Sequence, residues 1–212
     1  MTGTATPAGP APRSDRVGVA AFDFDGTLVP GDSLLPFLRL LAGGRRVGRT
    51  FLLSGPSLVR TFCSGGGRDA TKAVLLGHLL TGWPAEAVAG AGERYAARLE
   101  RRIQPAMGER IGWHRSQDHR LVLVSASLEV YLEPLGRRLG FDAVLATGLE
   151  IGDDGALTGR LQGANVRGSE KERRLRSWLT GELAGRPWEL WAYGDSTGDR
   201  ELLAMADHPV RL

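Results

Sequence analysis

Two unbroken apolar runs, VGVAAF at 17–22 and RLVLVSAS at 120–127, constrain the fold more than anything else in the chain. Strands that show water one face alternate apolar and polar residues, whereas continuous runs belong to strands covered on both faces, as in a parallel sheet layered by helices. Two more such runs follow, FDAVLAT at 141–147 and PWELWAYGDS at 187–196. Helical patterns at 128–139, 169–183 and 198–206 separate them, and Ser169 with Glu172 reads as a capping box for the second. LEIGDDGALTGRLQG (149–163) reads as a hairpin turning at Asp154-Gly155, and HPVRL at the end as the start of one more strand. The alternation predicts the α/β class, a parallel sheet with helices on both faces.

About ninety residues separate the first two strands, far more than a single crossover helix needs. That stretch reads as helices at 33–42, 46–63, 69–80, 84–103 and 105–117, with Asp69 capping the third and Pro84 and Pro105 in first turns. The expected organisation is therefore a polar, Pro-rich disordered tail over 1–16, a core built from 17–32 and 111–212, and an all-helical insertion over 33–110.

Composition narrows the function classes. Net charge is only +3, and the arginines are spread over helix faces without forming a stripe, so no nucleic-acid partner is expected. The apolar runs fall short of the ~20 residues that span a bilayer. With a single cysteine, Cys63, and no secretory leader pattern, the expected location is the cytoplasm. Only two lysines, Lys72 and Lys171, stand against 25 arginines, which gives each lysine a better claim to a specific task.

Ligands of open α/β sheets bind beyond the carboxyl ends of the strands. The first run delivers Asp23, Asp25 and Thr27 to that edge, the second delivers Ser125 and Ser127, and the last delivers Asp195, Ser196 and Asp199. Four gathered carboxylates repel one another unless a hard cation lies among them. Oxygen-only ligands suit Mg²⁺, which pairs with phosphate chemistry.

DFDGTL, the serine closing LVLVSAS, the lysine of GSEKERRL and GDSTGD stand in the order and context of the haloacid-dehalogenase (HAD) superfamily. The chain resembles its phosphoserine-phosphatase-like subfamily IB, with a Rossmann-like core and a helical C1-type cap between the first and second motifs. The resemblance implies a phosphatase acting on a small phosphomonoester. Asp23 would be the nucleophile forming an aspartyl-phosphate, and Asp25 the general acid and then base. Asp23, the carbonyl of Asp25, Asp195 and Asp199 would hold Mg²⁺; Ser125, Lys171 and Thr27 would bind the phosphoryl group. The alternatives are a phosphotransferase, a lysophospholipid or headgroup phosphatase, and a catalytically silent binding protein of the same fold. The sequence names no oligomeric state.

Departures from that pattern fall on the substrate side. Asp32 stands where phosphoserine phosphatases carry a glutamate for the substrate amine, and Gly198 where the last motif usually has asparagine. Arg68 or Lys72 would serve as the cap cation for a substrate carboxylate, and the five scattered tryptophans read as core, with lining of the cap pocket by Trp83 or Trp113 as the alternative. CSGGGR at 63–68 imitates a Cys-x5-Arg loop but is one residue short, and the four histidines, His78, His114, His119 and His208, lack metal-ligand spacing.

Overall fold

The computed structural model describes residues 16–45, 47–48 and 67–212. The expected tail up to residue 15, most of the helix predicted over 46–63, and Cys63 with Gly65 and Gly66 lie outside them, as do the side chains of Arg68 and Asp69. The elements are β1 (Val17–Phe22), α1 (Leu34–Ala42), α2 (Gly67–Leu80), α3 (Ala85–Glu100), α4 (Pro105–Ser116), β2 (Arg120–Leu128), α5 (Glu129–Leu139), β3 (Ala143–Ile151), β4 (Leu157–Gln162), α6 (Ser169–Leu183), β5 (Trp188–Gly194), a 3-10 turn (Thr197–Asp199), α7 (Arg200–Ala204) and β6 (His208–Arg211).

One six-stranded sheet runs β4-β3-β2-β1-β5-β6, parallel throughout except for β4. β1 is central, with Phe22 level with Leu123 of β2 and Tyr193 of β5. Its alternate residues serve opposite layers, which is why the run has no polar positions. Val19 and Ala21 pack with Leu175, Leu179 and Leu183 of α6, whereas Ala20 and Phe22 join the larger core with α1–α5.

Three elements differ from expectation. The strand predicted at 141–147 continues to Ile151, so β3 supplies the first arm of the hairpin as well as pairing with β2. The hairpin holds the helical region by backbone bonds: Gly82 N to Leu157 O (2.8 Å), Leu157 N to Trp83 O (2.8 Å) and Ala85 N to Gly155 O (3.0 Å). The capping box predicted at Ser169 and Glu172 is not formed. Gly168 precedes the helix, and Glu170 and Glu172 pair instead with Arg173, Arg174 and Arg176. A capping box does form at Ser196, whose backbone N–H donates to Asp199 Oδ2 (2.9 Å) while its Oγ accepts from Gly198 N (3.1 Å). The helix predicted at 198–206 accordingly begins as a 3-10 turn.

Beneath Phe22, which stacks on Tyr193 at 4.5 Å, fully buried His114 meets Tyr193 Oη through Nε2 (2.8 Å) and His119 Nδ1 through Nδ1 (2.8 Å). Two protonated rings would put N–H against N–H across that second contact. Burial, with the neighbouring His119 and Arg110, pushes the His114 imidazole down to about 4. An imidazole depressed when folded keeps its stabilising effect above the unfolded value near 6.5 and loses it as pH falls toward 4. Unfolding free energy measured in urea should drop by roughly 3 kcal/mol at most from this group across that interval. His114→Gln should flatten that part of the profile relative to the native chain.

Candidate active site

β1 ends with Asp23 N donating to Tyr193 O (2.9 Å), and the chain then closes a tight turn in which Leu28 N bonds to Phe24 O (2.8 Å). Gly26 in this turn has φ +80°, and a Cβ there would lie 2.1 Å from Asp195 Oδ2. Glycine is thus required twice over, for the left-handed backbone and for the approach of the Asp195 carboxylate from the end of β5.

Asp23, Asp195 and Asp199 each present a carboxylate oxygen within 4.8 Å of the others. Lys171, buried in the first turn of α6, donates its Nζ to Asp23 Oδ1 (2.5 Å) and Asp199 Oδ1 (2.5 Å). Asp199 is further held by the backbone N–H and Oγ of Ser196 (2.9 and 2.6 Å). Burial pushes the Asp23 carboxyl upward against the pull of Lys171. For Asp199, burial is outweighed by Lys171 and Ser196, and its carboxyl lies below the ordinary range. Among the described residues Asp195 Oδ1 is buried without a hydrogen-bond partner, and burial and Asp199 push its carboxyl up. Three converging carboxylates, one with an orphaned oxygen, form an oxygen donor set that fits a hard divalent cation.

Asp25 has a different environment. Its Oδ2 accepts from Ser127 Oγ (2.5 Å) and Ser33 Oγ (3.1 Å), while Oδ1 is buried with no hydrogen bond among the described residues. Ser33 Oγ also meets Tyr131 Oη (3.0 Å), and Tyr95 Oη donates to Ser33 O (2.9 Å). Burial is the main reason the Asp25 carboxyl rises to about 6, with Ser127 and Ser33 opposing it and Asp32 and Asp23 adding to it.

These groups line a cavity of about 600 Å³ at the carboxyl edge of the sheet. α1 contributes Leu34 and Leu35, and α2 contributes Thr71, Lys72 and Leu75. A larger depression of about 1000 Å³ at the opposite edge, by Arg115, His119 and Arg120, contains none of the acids that follow β1 and β5.

The haloacid dehalogenase-like hydrolases match this sequence over residues 20–204. The chain belongs to that family, and it is an enzyme of the hydrolase class. CicA of Caulobacter vibrioides is 35% identical over 192 residues, covering 89% of this chain and 83% of that one. A probable phosphatase of Mycobacterium tuberculosis is 29% identical over 208 residues, covering 96% and 70%. Among solved structures, a phospho-aspartyl intermediate analogue of phosphoserine phosphatase shares the fold, with TM-score 0.62, 22% identity, and 92% and 85% of the two chains covered.

Within this HAD hydrolase, Asp23, Asp25, Ser125, Lys171, Asp195 and Asp199 all reach the one cavity. Buried Ser125 Oγ accepts from Ser127 N (3.1 Å). Thr27 does not join them: its side chain is fully buried outside the cavity lining, with no partner for its hydroxyl among the described residues. Asp32 lines the cavity, but its Oδ2 accepts from Leu35 N (2.9 Å) and so caps α1. Lys72 reaches the cavity, bonding Asn165 Oδ1 (2.7 Å) and the carbonyl of Ala126. Neither Trp83 nor Trp113 lines it: Trp83 packs at the core margin, and exposed Trp113 lies beside His114, His119 and Trp191. Sequence reasoning missed Ser33, Tyr131 and Arg167. Ser33 and Tyr131 carry the ordinary signals of a helix start and a core aromatic, and Arg167 is one arginine among 25.

Removing one partner from a buried ion cluster leaves uncompensated charge, which costs on the order of 3–5 kcal/mol. Lys171→Met should lower the unfolding free energy by about that much in urea titrations without divalent cations. Added divalent cation should recover part of the loss.

Proposed function

We propose that this HAD hydrolase is a Mg²⁺-dependent phosphatase that cleaves a small phosphomonoester through an aspartyl-phosphate on Asp23. The observation that carries the reading is Lys171 placed between Asp23 and Asp199, with Asp195 completing an acidic trio at the cavity floor. Asp23, Asp195 and Asp199, with the Asp25 carbonyl, would hold the ion, which when bound supplies positive charge for the phosphoryl oxygens.

In the first step an Asp23 carboxylate oxygen forms the new bond to phosphorus as the ester P–O bond breaks. Lys171 engages Oδ1, leaving Oδ2 as the attacking atom. The departing alkoxide takes its proton from Asp25, whose Oδ1 is the oxygen free to carry one. Asp25, now a carboxylate, receives a proton from water as that water attacks phosphorus. The Asp23–phosphorus bond then breaks, releasing inorganic phosphate. A carboxyl near 6 serves both directions close to neutral pH. Ser125 and Lys171 contribute donors to the phosphoryl oxygens.

Residues 33–110 act as a cap in this reading, with 17–32 and 111–212 as the catalytic core, because α1 and α2 supply the outer wall of the cavity. That wall is largely Leu34, Leu35 and Leu75, and Asp32 gives one of its two carboxylate oxygens to Leu35 N. An ester with an apolar body suits such a wall.

The test is phosphate release from a panel that includes phosphoserine, alkyl phosphates and an aryl phosphate, with Mg²⁺ or EDTA. Turnover should need Mg²⁺, vanish in Asp23→Asn and favour the apolar esters. No turnover of any ester with Mg²⁺ would overturn the reading. Ser127→Ala removes a hydrogen bond that favours the Asp25 carboxylate, so the limb of the pH–rate profile set by Asp25 should move to higher pH.

A further inference from the structure

Arg167 lies in the loop between β4 and α6, just ahead of Gly168, and it lines the same cavity as Asp23, Lys171 and Ser196. Its backbone is held on both sides: Val166 is fully buried with its N–H donating to Thr147 Oγ1 (3.1 Å), and Gly168 N donates to Gly198 O (2.9 Å). The side chain lies across Gly198, where a Cβ would meet Arg167 Nε at 3.0 Å and Cγ at 3.2 Å. An asparagine at 198 would occupy the space that this arginine fills.

Helix stability does not account for the residue. A cation at a helix N-terminus opposes the macrodipole. The arginines further along α6 are ion-paired with Glu170 and Glu172, whereas among the described residues the guanidinium of half-buried Arg167 makes no hydrogen bond or ion pair. Its charge is felt by Glu201, whose Oε1 is bonded to Arg200 and whose buried Oε2 makes no hydrogen bond among the described residues, Arg167 included. A planar fork of donors without a partner, on a fixed loop beside the acidic trio, suits an incoming oxyanion.

We propose that Arg167 is a substrate-binding residue that grips the phosphoryl oxygens, and that Gly198 is the residue that gives it room. This rests on the phosphatase reading. In the full-length protein with Mg²⁺, Arg167→Ala should raise KM for an aryl phosphate by about tenfold or more, and raise the inhibition constant of inorganic phosphate in step. Arg167→Lys should recover part of both, because it restores charge without the fork. Gly198→Ala should raise KM severalfold in the native background and have a clearly smaller effect beside Arg167→Ala, since the arginine is the nearer of the two side chains its methyl would meet, with Ser196 Oγ at 3.3 Å the other. Unchanged phosphate inhibition in Arg167→Ala, or an undiminished effect of Gly198→Ala in that background, would overturn the proposal while the native enzyme still turned over. If the native enzyme neither hydrolysed esters nor bound phosphate, the phosphatase reading itself would fall.

Discussion

The Lys171 ammonium between Asp23 and Asp199 is the contact on which the rest of the site depends. It joins the end of β1, the start of α6 and the turn after β5, three places far apart in sequence, at a point almost closed to water. Charges are costly to bury, and their mutual attraction repays that cost only when geometry and further hydrogen bonds are good. Here Ser196 supplies the extra donors to Asp199. Asp195 has no such support for its Oδ1, so the cluster is balanced on one side and short of positive charge on the other. That imbalance is where a cation and a phosphoryl group would add most.

Asp25 is prepared by different means. It has no lysine, and its second oxygen is caged by hydroxyls from Ser33 and Ser127, backed by Tyr131. Burial there pushes the phenol of Tyr95 up to about 12 and that of Tyr131 higher still, so both remain neutral donors. The two acids of DFDGTL are therefore close in sequence but opposite in character. Asp23 faces a cation, and Asp25 faces neutral hydroxyls that leave it able to exchange a proton. Because Ser33 precedes α1 and Tyr131 belongs to α5, the hydroxyls around Asp25 also tie the start of α1 to the sheet edge and to α5.

Most of the sheet and its reactive edge was legible in the sequence. Strand identity follows from unbroken apolar runs, and a parallel sheet brings the residues after each strand to one edge whatever the intervening chain does. Asp23, Asp25, Ser125, Asp195 and Asp199 could be placed by that rule alone. Side-chain direction could not. Thr27 follows the same strand as Asp23 but turns into the interior, and Asp32 spends a carboxylate oxygen on the first turn of α1. The capping box moved from Ser169 to Ser196 because both sites carry the same local pattern, and only the tertiary setting distinguishes them.

Arg167 marks the other limit of sequence reasoning. What gives it meaning is the missing side chain of Gly198, 31 positions away by residue number, and no local pattern links the two. The same division runs through the whole site. Groups proposed for bond making and breaking sit at strand ends, where backbone register sets their positions within narrow bounds. Groups proposed to bind the ester come from α1, α2 and the loop before α6, where one substitution frees or fills the space of another. A core of this kind can keep its fold while the helices and loops around it exchange substrates, so the ester has to be read from the residues of the site and not from the likeness of the fold.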